Sequence, residues 1–249
     1  MELGELTTTE IEQLPRELPV VIPVAAVEQH ASHLPLSTDS LLLAEVVRRA
    51  RANCDHQALF LPLMWLGNSH HHLDFQGTLS AEPRVWVDML GGLVENALTH
   101  GFKRILVING HGGNCVPTNQ CLFEKRQQHR TSSDLLLLSA TYWTLGQPLP
   151  PSTEYVQSEM GHACEWETSM MLRLNSRLVK PYEALDDVAM EQRFEPAERA
   201  WITQERSSRG YIGRPASASE EKGEALFSTF AKGLSGLIKK MYQWDGVTW

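Results

Sequence analysis

Short apolar runs rich in β-branched residues alternate along this chain with longer stretches whose apolar positions recur at helical spacing. The first run, residues 18–27 (LPVVIPVAAV), is continuously apolar, which predicts a strand covered on both faces, as in a parallel sheet. Asp39 or Ser40 can cap the helix that follows, where Leu41, Leu42, Ala44, Val46 and Val47 keep helical spacing. Residues 58–65 predict a second strand. Residues 82–100 predict a helix with Val85, Met89, Leu93 and Ala97 on its buried stripe and Gly101 as its stop. A third strand, residues 104–109 (RILVIN), runs into a glycine-rich turn at 110–114 and a polar helix to about residue 130. Residues 135–140 complete the strands.

Beyond them, residues 147–161 contain Pro148, Pro150 and Pro151 and read as a long loop able to cover a site. A helix starts near Ala163. Residues 175–219 keep no clear period, and residues 220–242 form a helix with Leu226, Phe230, Leu234, Leu237 and Met241 on one face. Strands alternating with long helices imply an α/β fold: one domain over residues 1–249, with a mostly parallel sheet flanked by helices. Functional loops in such sheets lie beyond the carboxyl ends of the strands, which brings residues 28–39, 68–74 and 110–114 to one edge.

Composition narrows the function. A chain of 249 residues with 42% hydrophobic and 21% charged content can bury a core without disulfides or a structural metal, so a metal site here would serve chemistry. The formal charge of −8 opposes nucleic-acid binding. Four cysteines with no C-x-x-C pair read as reduced thiols of a cytoplasmic protein, and no run resembles a secretion signal or a membrane span. Histidine is the unusual entry, with ten residues, several of them clustered.

Glu28, His30, His33 and Asp39 bring two carboxylates and two imidazoles to the end of the first strand. Such a nitrogen and oxygen donor set suits catalytic zinc, manganese or iron; the plain alternative is a polar surface loop. His111, in N-G-H-G-G-N after the third strand, should reach the same edge. A phosphate-binding turn is the competing reading, but the segment lacks G-x-G-x-x-G spacing and a Walker lysine. Glu167 heads a stripe with Met170, Met171 and Leu174, and a buried carboxylate needs a cation, either a metal or an arginine such as Arg173 or Arg104. Glu165 points elsewhere on that helix and reads as solvated or as supporting the site from behind. His162 precedes the helix and can exchange a proton near neutral pH. In N-S-H-H-H-L-D-F, strand alternation would direct His70 and His72 to the site and His71 to the surface.

These segments, P-V-A-A-V-E-Q-H-A-S-H-L-P-L-S-T-D at 23–39, G-N-S-H-H-H-L-D-F-Q-G-T at 67–78, V-I-N-G-H-G-G-N at 107–114 and G-H-A-C-E-W-E-T-S at 161–169, resemble the creatininase family in both content and order. The resemblance implies two divalent metal ions (Zn, Mn or Fe) and hydrolysis of non-peptide C–N bonds in a small-molecule amide, cyclic amide or formamide, by a homo-oligomer that is often a hexamer. It implies Glu28, His30, Asp39 and His111 as metal ligands, Asp39 bridging both ions, Glu167 completing the second site, and His162 as proton carrier. A hydroxide shared by the metals would attack the carbonyl. His33, Ser69, His70, His72, Gly112, Gly113 and Asn114 are candidates for substrate binding or for supporting the ligands. Two departures stand out: Gly113 and Gly161 replace acids of the creatinine-hydrolysing members, which points toward branches that act on formamides or trim peptides. A binding protein for a small molecule or nucleotide, without catalysis, is the alternative of another class.

Overall fold

The structure is a computed structural model that describes residues 1–54, 58–146, 155–189, 194, 196–197 and 199–248. Four strands, β1 (Val20–Val24), β2 (Leu59–Phe60), β3 (Arg104–Asn109) and β4 (Leu136–Thr141), form one sheet in the order β2-β1-β3-β4, every neighbouring pair parallel. Among the described residues seven α-helices accompany it: α1 (Thr8–Glu12), α2 (Thr38–Ala52), α3 (Pro83–Thr99), α4 (Cys115–Gln128), α5 (Glu165–Asn175), α6 (Thr203–Arg206) and α7 (Glu220–Gln243).

Successive strand residues point to opposite faces, and each face builds its own core. Val21, Leu106 and Ile108 meet α2, α5 and α7, whereas Val20, Ile22, Val24, Ile105 and Val107 meet α3 and α4. The result is a three-layer α/β/α domain, with continuous apolar strands as expected for a sheet covered on both sides.

Three expectations needed revision. The second strand is shorter than residues 58–65: it covers Leu59–Phe60, Leu61 still donates to the Val21 carbonyl at 2.9 Å, and past Pro62 and Leu63 the chain meets β1 again where Met64 bridges Val24. On α3 the buried stripe is Trp86, Leu90, Val94 and Ala97, while Val85 and Met89 are exposed. Both stripes fit helical spacing, and the larger Trp86 takes the core while its indole N–H donates to the Leu66 carbonyl at 2.9 Å. Helix α2 begins at Thr38, so Asp39 sits inside the first turn and its carboxylate is spent elsewhere than on a cap. The first part of the expected long loop, residues 147–154, lies outside the described residues, as does His56.

Chain order reverses at β1, which pairs with β2 on one side and β3 on the other. The carboxyl ends of β1 and β3 therefore flank a topological switch point, where an open α/β sheet leaves a crevice.

Candidate metal centre

Five elements converge on that crevice. The loop after β1 brings Glu28 and His30, the first turn of α2 brings Asp39, the turn after β3 brings His111, a 3₁₀ turn brings His71 and His72, and α5 with the segment leading into it brings Glu167 and His162. All but His71 and His162 are buried. Ala31 and Ala163 take left-handed φ values of 56° and 48°, and each directly follows one of the site histidines. Non-glycine residues rarely hold that conformation, and such strain gathers where geometry is over-determined by function.

Hydrogen-bond partners assign the ring nitrogens. His30 Nδ1 lies 3.1 Å from its neighbour Glu28's carbonyl, which can only accept, so Nδ1 carries the proton and Nε2 presents a lone pair. That lone pair faces Asp39 Oδ1 at 3.1 Å and Glu167 Oε1 at 3.7 Å. His111 Nε2 likewise donates to the Asn68 carbonyl at 3.1 Å, leaving Nδ1 opposite Asp39 Oδ2 at 3.1 Å. Neutral rings would set lone pairs against carboxylate oxygens here, so each contact calls for a proton or a metal ion between the two atoms. Glu28 Oε2, Asp39 Oδ2 and Glu167 Oε2 are all buried without a hydrogen-bond partner. The donor set thus fits a divalent metal, with Asp39 reaching toward both imidazoles.

The electrostatics report the same deficit of positive charge. Burial pushes the Asp39 carboxyl up, but the imidazoles of His30 and His111 outweigh it and hold the group well below its usual range. Burial lowers His30 and His111, yet Asp39 and Glu167 around the first, and Glu28 and Asp39 around the second, raise both well above an ordinary imidazole. Burial together with the His30 charge moves His162 in the opposite direction, far below its ordinary value. Its Nε2 lies 2.9 Å from both the carbonyl oxygen and the side-chain amide nitrogen of Gln29, and its Nδ1 faces the cluster, 3.7 Å from Glu28 Oε1.

Gln29 is a member of the site that the sequence reading missed. Its amide nitrogen donates to His72 Nδ1 at 2.8 Å and to the Gly210 carbonyl at 2.9 Å, and its Oε1 accepts the Ala31 amide at 2.9 Å. One side chain thereby sets the orientation of two loops. It adjoins Glu28 and His30 in sequence, the only hint available without the fold.

The histidine run differs from its expected alternation. Residues His70–His72 form a 3₁₀ turn, not a strand, so successive side chains step around an axis. His72 does face the site, with Nε2 3.2 Å from Glu28 Oε1. His70 instead turns to Ser80 at 2.7 Å and to Glu82, while His71 lies in the pocket, stacked on His111 at 5.6 Å between ring centres. Burial, followed by the charge of His111, pushes His71 down to about 4.

Other candidates resolve into distinct places. Gly112 and Gly113 line the pocket. A Cβ on Gly113 would overlap the Asn68 carbonyl and the His71 ring, so this backbone has no room for an acid there. Gly161 is equally closed off, by the Ile212 carbonyl. Asn114 braces the crevice from behind, donating to the Ala25 carbonyl at 3.0 Å and accepting from the Asn68 amide at 2.9 Å. Ser69 lies 3.3 Å from His111 Nε2, and His33 bonds Thr168 at 2.9 Å on the core side. Glu165 is neither solvated nor at the cluster: it is fully buried, pairs with Lys222 at 2.6 Å and accepts the amides of Val156 and Gln157. Of the arginines that could have paired with Glu167, Arg173 binds Glu224, and Arg104 donates to the carbonyls of Met241 and Tyr242.

The cluster opens into a cavity of about 750 Å³ whose outer walls include Val116, Trp143, Met160, Arg199, Trp201 and Arg206. A buried metal-fitting cluster at the floor of a solvent-reaching cavity, in the switch-point crevice of a parallel sheet, defines a metal-dependent hydrolase class of site. Residues 4–238 match the creatininase family, described as creatinine amidohydrolase, and the chain belongs to that family of metal-dependent amidohydrolases.

Among its relatives are a mycofactocin precursor peptide peptidase of Mycolicibacterium smegmatis, 29% identical with 94% of this chain and 90% of the relative covered, and a creatinine amidohydrolase of Pseudomonas putida, 24% identical with 96% of each covered. A crystal structure of creatinine amidohydrolase superposes with a TM-score of 0.81 at 25% identity, covering 97% of this chain and 98% of the other. No helix among the described residues is long and apolar enough to cross a membrane.

Proposed function

We propose that the protein hydrolyses an amide C–N bond at a centre of two divalent ions, zinc, manganese or iron. His30, Asp39 and Glu167 would hold one ion, and Glu28, Asp39 and His111 the other, with His71 beside them in the space that Gly113 leaves open. The observation that carries this reading is that Glu28, Asp39 and Glu167 each keep one buried oxygen without a hydrogen-bond partner, gathered around the rings of His30 and His111. Bound ions would polarise the substrate carbonyl and make water a nucleophile near neutral pH.

The chain's own residues account for the remaining steps. His162 is kept neutral by burial with its free Nδ1 toward the cluster, placed to take a proton from the attacking water and return it to the departing nitrogen. A bond from Nε2 to the Gln29 carbonyl would hold that tautomer. Gly112 and Gly113 present bare backbone to the cavity, so a substrate can approach the cluster closely.

The substrate reading begins with a small-molecule amide, as in the creatinine amidohydrolase relative. A peptide amide is the second reading, supported by the peptidase relatives and by a cavity large enough for more than one small ring. We also take the protein to be a homo-oligomer, which sedimentation would measure. Protein purified without chelator should contain two first-row metal ions per chain, and chelation should abolish hydrolysis of cyclic amides, formamides or short peptides until metal is restored. Absence of bound metal, with no activity gained from added Mn²⁺ or Zn²⁺, would refute the proposal.

A further inference from the structure

The outer wall of the cavity carries a cation that the metal centre does not use. Arg206, half-buried at the end of α6, lines the same cavity as Glu28, Asp39 and His111. Its neighbour on that wall, Arg199, is 3.8 Å from Glu205, but among the described residues no carboxylate pairs with Arg206. Burial alone depresses its guanidinium, with no opposing acid to restore it. A half-buried guanidinium with no acid beside it among the described residues is open to an anionic partner.

Its position is built. The guanidinium carbon lies 4.8 Å from the Trp201 ring centre; Trp201 packs edge-on to His71 at 5.1 Å, and His71 stacks on His111 at 5.6 Å. Three contacts in series thus connect Arg206 to a candidate metal ligand. Helix α6 itself is fastened to the site by Thr203, whose hydroxyl is 2.9 Å from His72 Nδ1.

We infer that Arg206, stacked on Trp201, binds the carboxylate of the substrate, so that the amide cleaved at the metal centre belongs to an N-acyl amino acid or a short peptide with a free C-terminus. A planar guanidinium fork matches a carboxylate bidentately, and the aromatic face holds the fork in place. This rests on the hydrolase reading above and selects within it, because a neutral cyclic amide has no group for Arg206. Arg206 is a specificity residue; the proton transfers remain with His162.

The test uses matched probes on zinc- or manganese-loaded protein: a pool of N-acetyl dipeptides with free C-terminal carboxylates, and the same dipeptides as C-terminal carboxamides. Binding is read by thermal stabilisation and turnover by mass spectrometry. The acids should bind and turn over about tenfold or more better than their carboxamide twins. Arg206→Gln should erase that preference through a higher KM for the acids, at full metal content, and Arg206→Lys should recover part of it. Equal handling of acids and carboxamides by the wild-type protein, or a preference that survives Arg206→Gln, would overturn the inference while leaving amide hydrolysis intact. Carboxylate-selective binding that depends on Arg206, without turnover of any amide by the metal-loaded protein, would uphold the anchor and refute the hydrolase.

Discussion

Helix α5 places two buried glutamates two positions apart in two different regions of the molecule, and their surroundings differ in one respect. In the clasp between α5 and α7, Glu165 has a full complement of partners: the Lys222 ammonium at 2.6 Å and two backbone amides. At the crevice, Glu167 has a histidine lone pair at 3.7 Å and one oxygen with no partner. The first carboxylate holds two helices together. The second keeps one buried oxygen unpaired beside His30, an arrangement open to a bound cation.

Substitutions at the two regions should therefore diverge. The largest effect is expected at Asp39, which faces both His30 and His111: Asp39→Asn should remove bound metal and lower turnover by roughly a thousandfold or more, about 4 kcal/mol. Metal analysis and kinetics check this; full occupancy in the variant would make Asp39 a structural acid like Glu165. Next comes Glu165→Ala, which strands Lys222 and should cost about 3 kcal/mol of stability with the metal content of the folded protein unchanged. Urea unfolding measures it, and loss of metal from folded Glu165→Ala would erase the distinction. Its counterpart Glu167→Gln should do the reverse, releasing one ion while the metal-free protein melts no lower than wild type.

His162→Ala sharpens the assignment of roles within the crevice. It should retain both ions and lose about a hundredfold in turnover, roughly 2.7 kcal/mol. Equal loss of metal would make His162 a ligand.

The smallest expected effect is a pH dependence, worth about 1.4 kcal/mol per pH unit for each proton exchanged. In metal-free protein His30 and His111 are raised, so their contribution to stability is complete below the unfolded imidazole value of about 6.5 and is lost as pH rises through their folded values. Metal takes the place of those protons. Added zinc should raise the melting temperature more at pH 8 than at pH 6. The Glu165–Lys222 clasp should show no such metal dependence, and a zinc effect that is flat with pH would count against His30 and His111 as ligands.

Much of this molecule is written locally in the chain. Continuous β-branched runs can only be satisfied in a sheet covered on both faces, so the strands and the α/β class follow from patterning, and β3 has the expected bounds of residues 104–109. Motif order places Glu28, His30, Asp39 and His111 at strand ends and a helix start, because side chains near the carboxyl edge of a parallel sheet share one crevice. Locally ambiguous choices were decided by tertiary packing. The buried stripe of α3 is set by which face Trp86 fills, and the His70–His72 run adopts a 3₁₀ turn that brings His71 over His111 and sends His70 to Ser80.

The different fates of Glu165 and Glu167 could not be read from sequence either, since they depend on Lys222, 57 positions away from Glu165. Gln29 and Arg206 carry no motif. Gln29 is placed by His72 and Gly210, both distant in sequence, and Arg206 by the nearby Trp201 ring, which the fold packs against the distant His71. Periodicity records how each segment buries its own apolar face, a local constraint. Which polar groups are left without partners is a property of the assembled interior, and only the folded chain shows it.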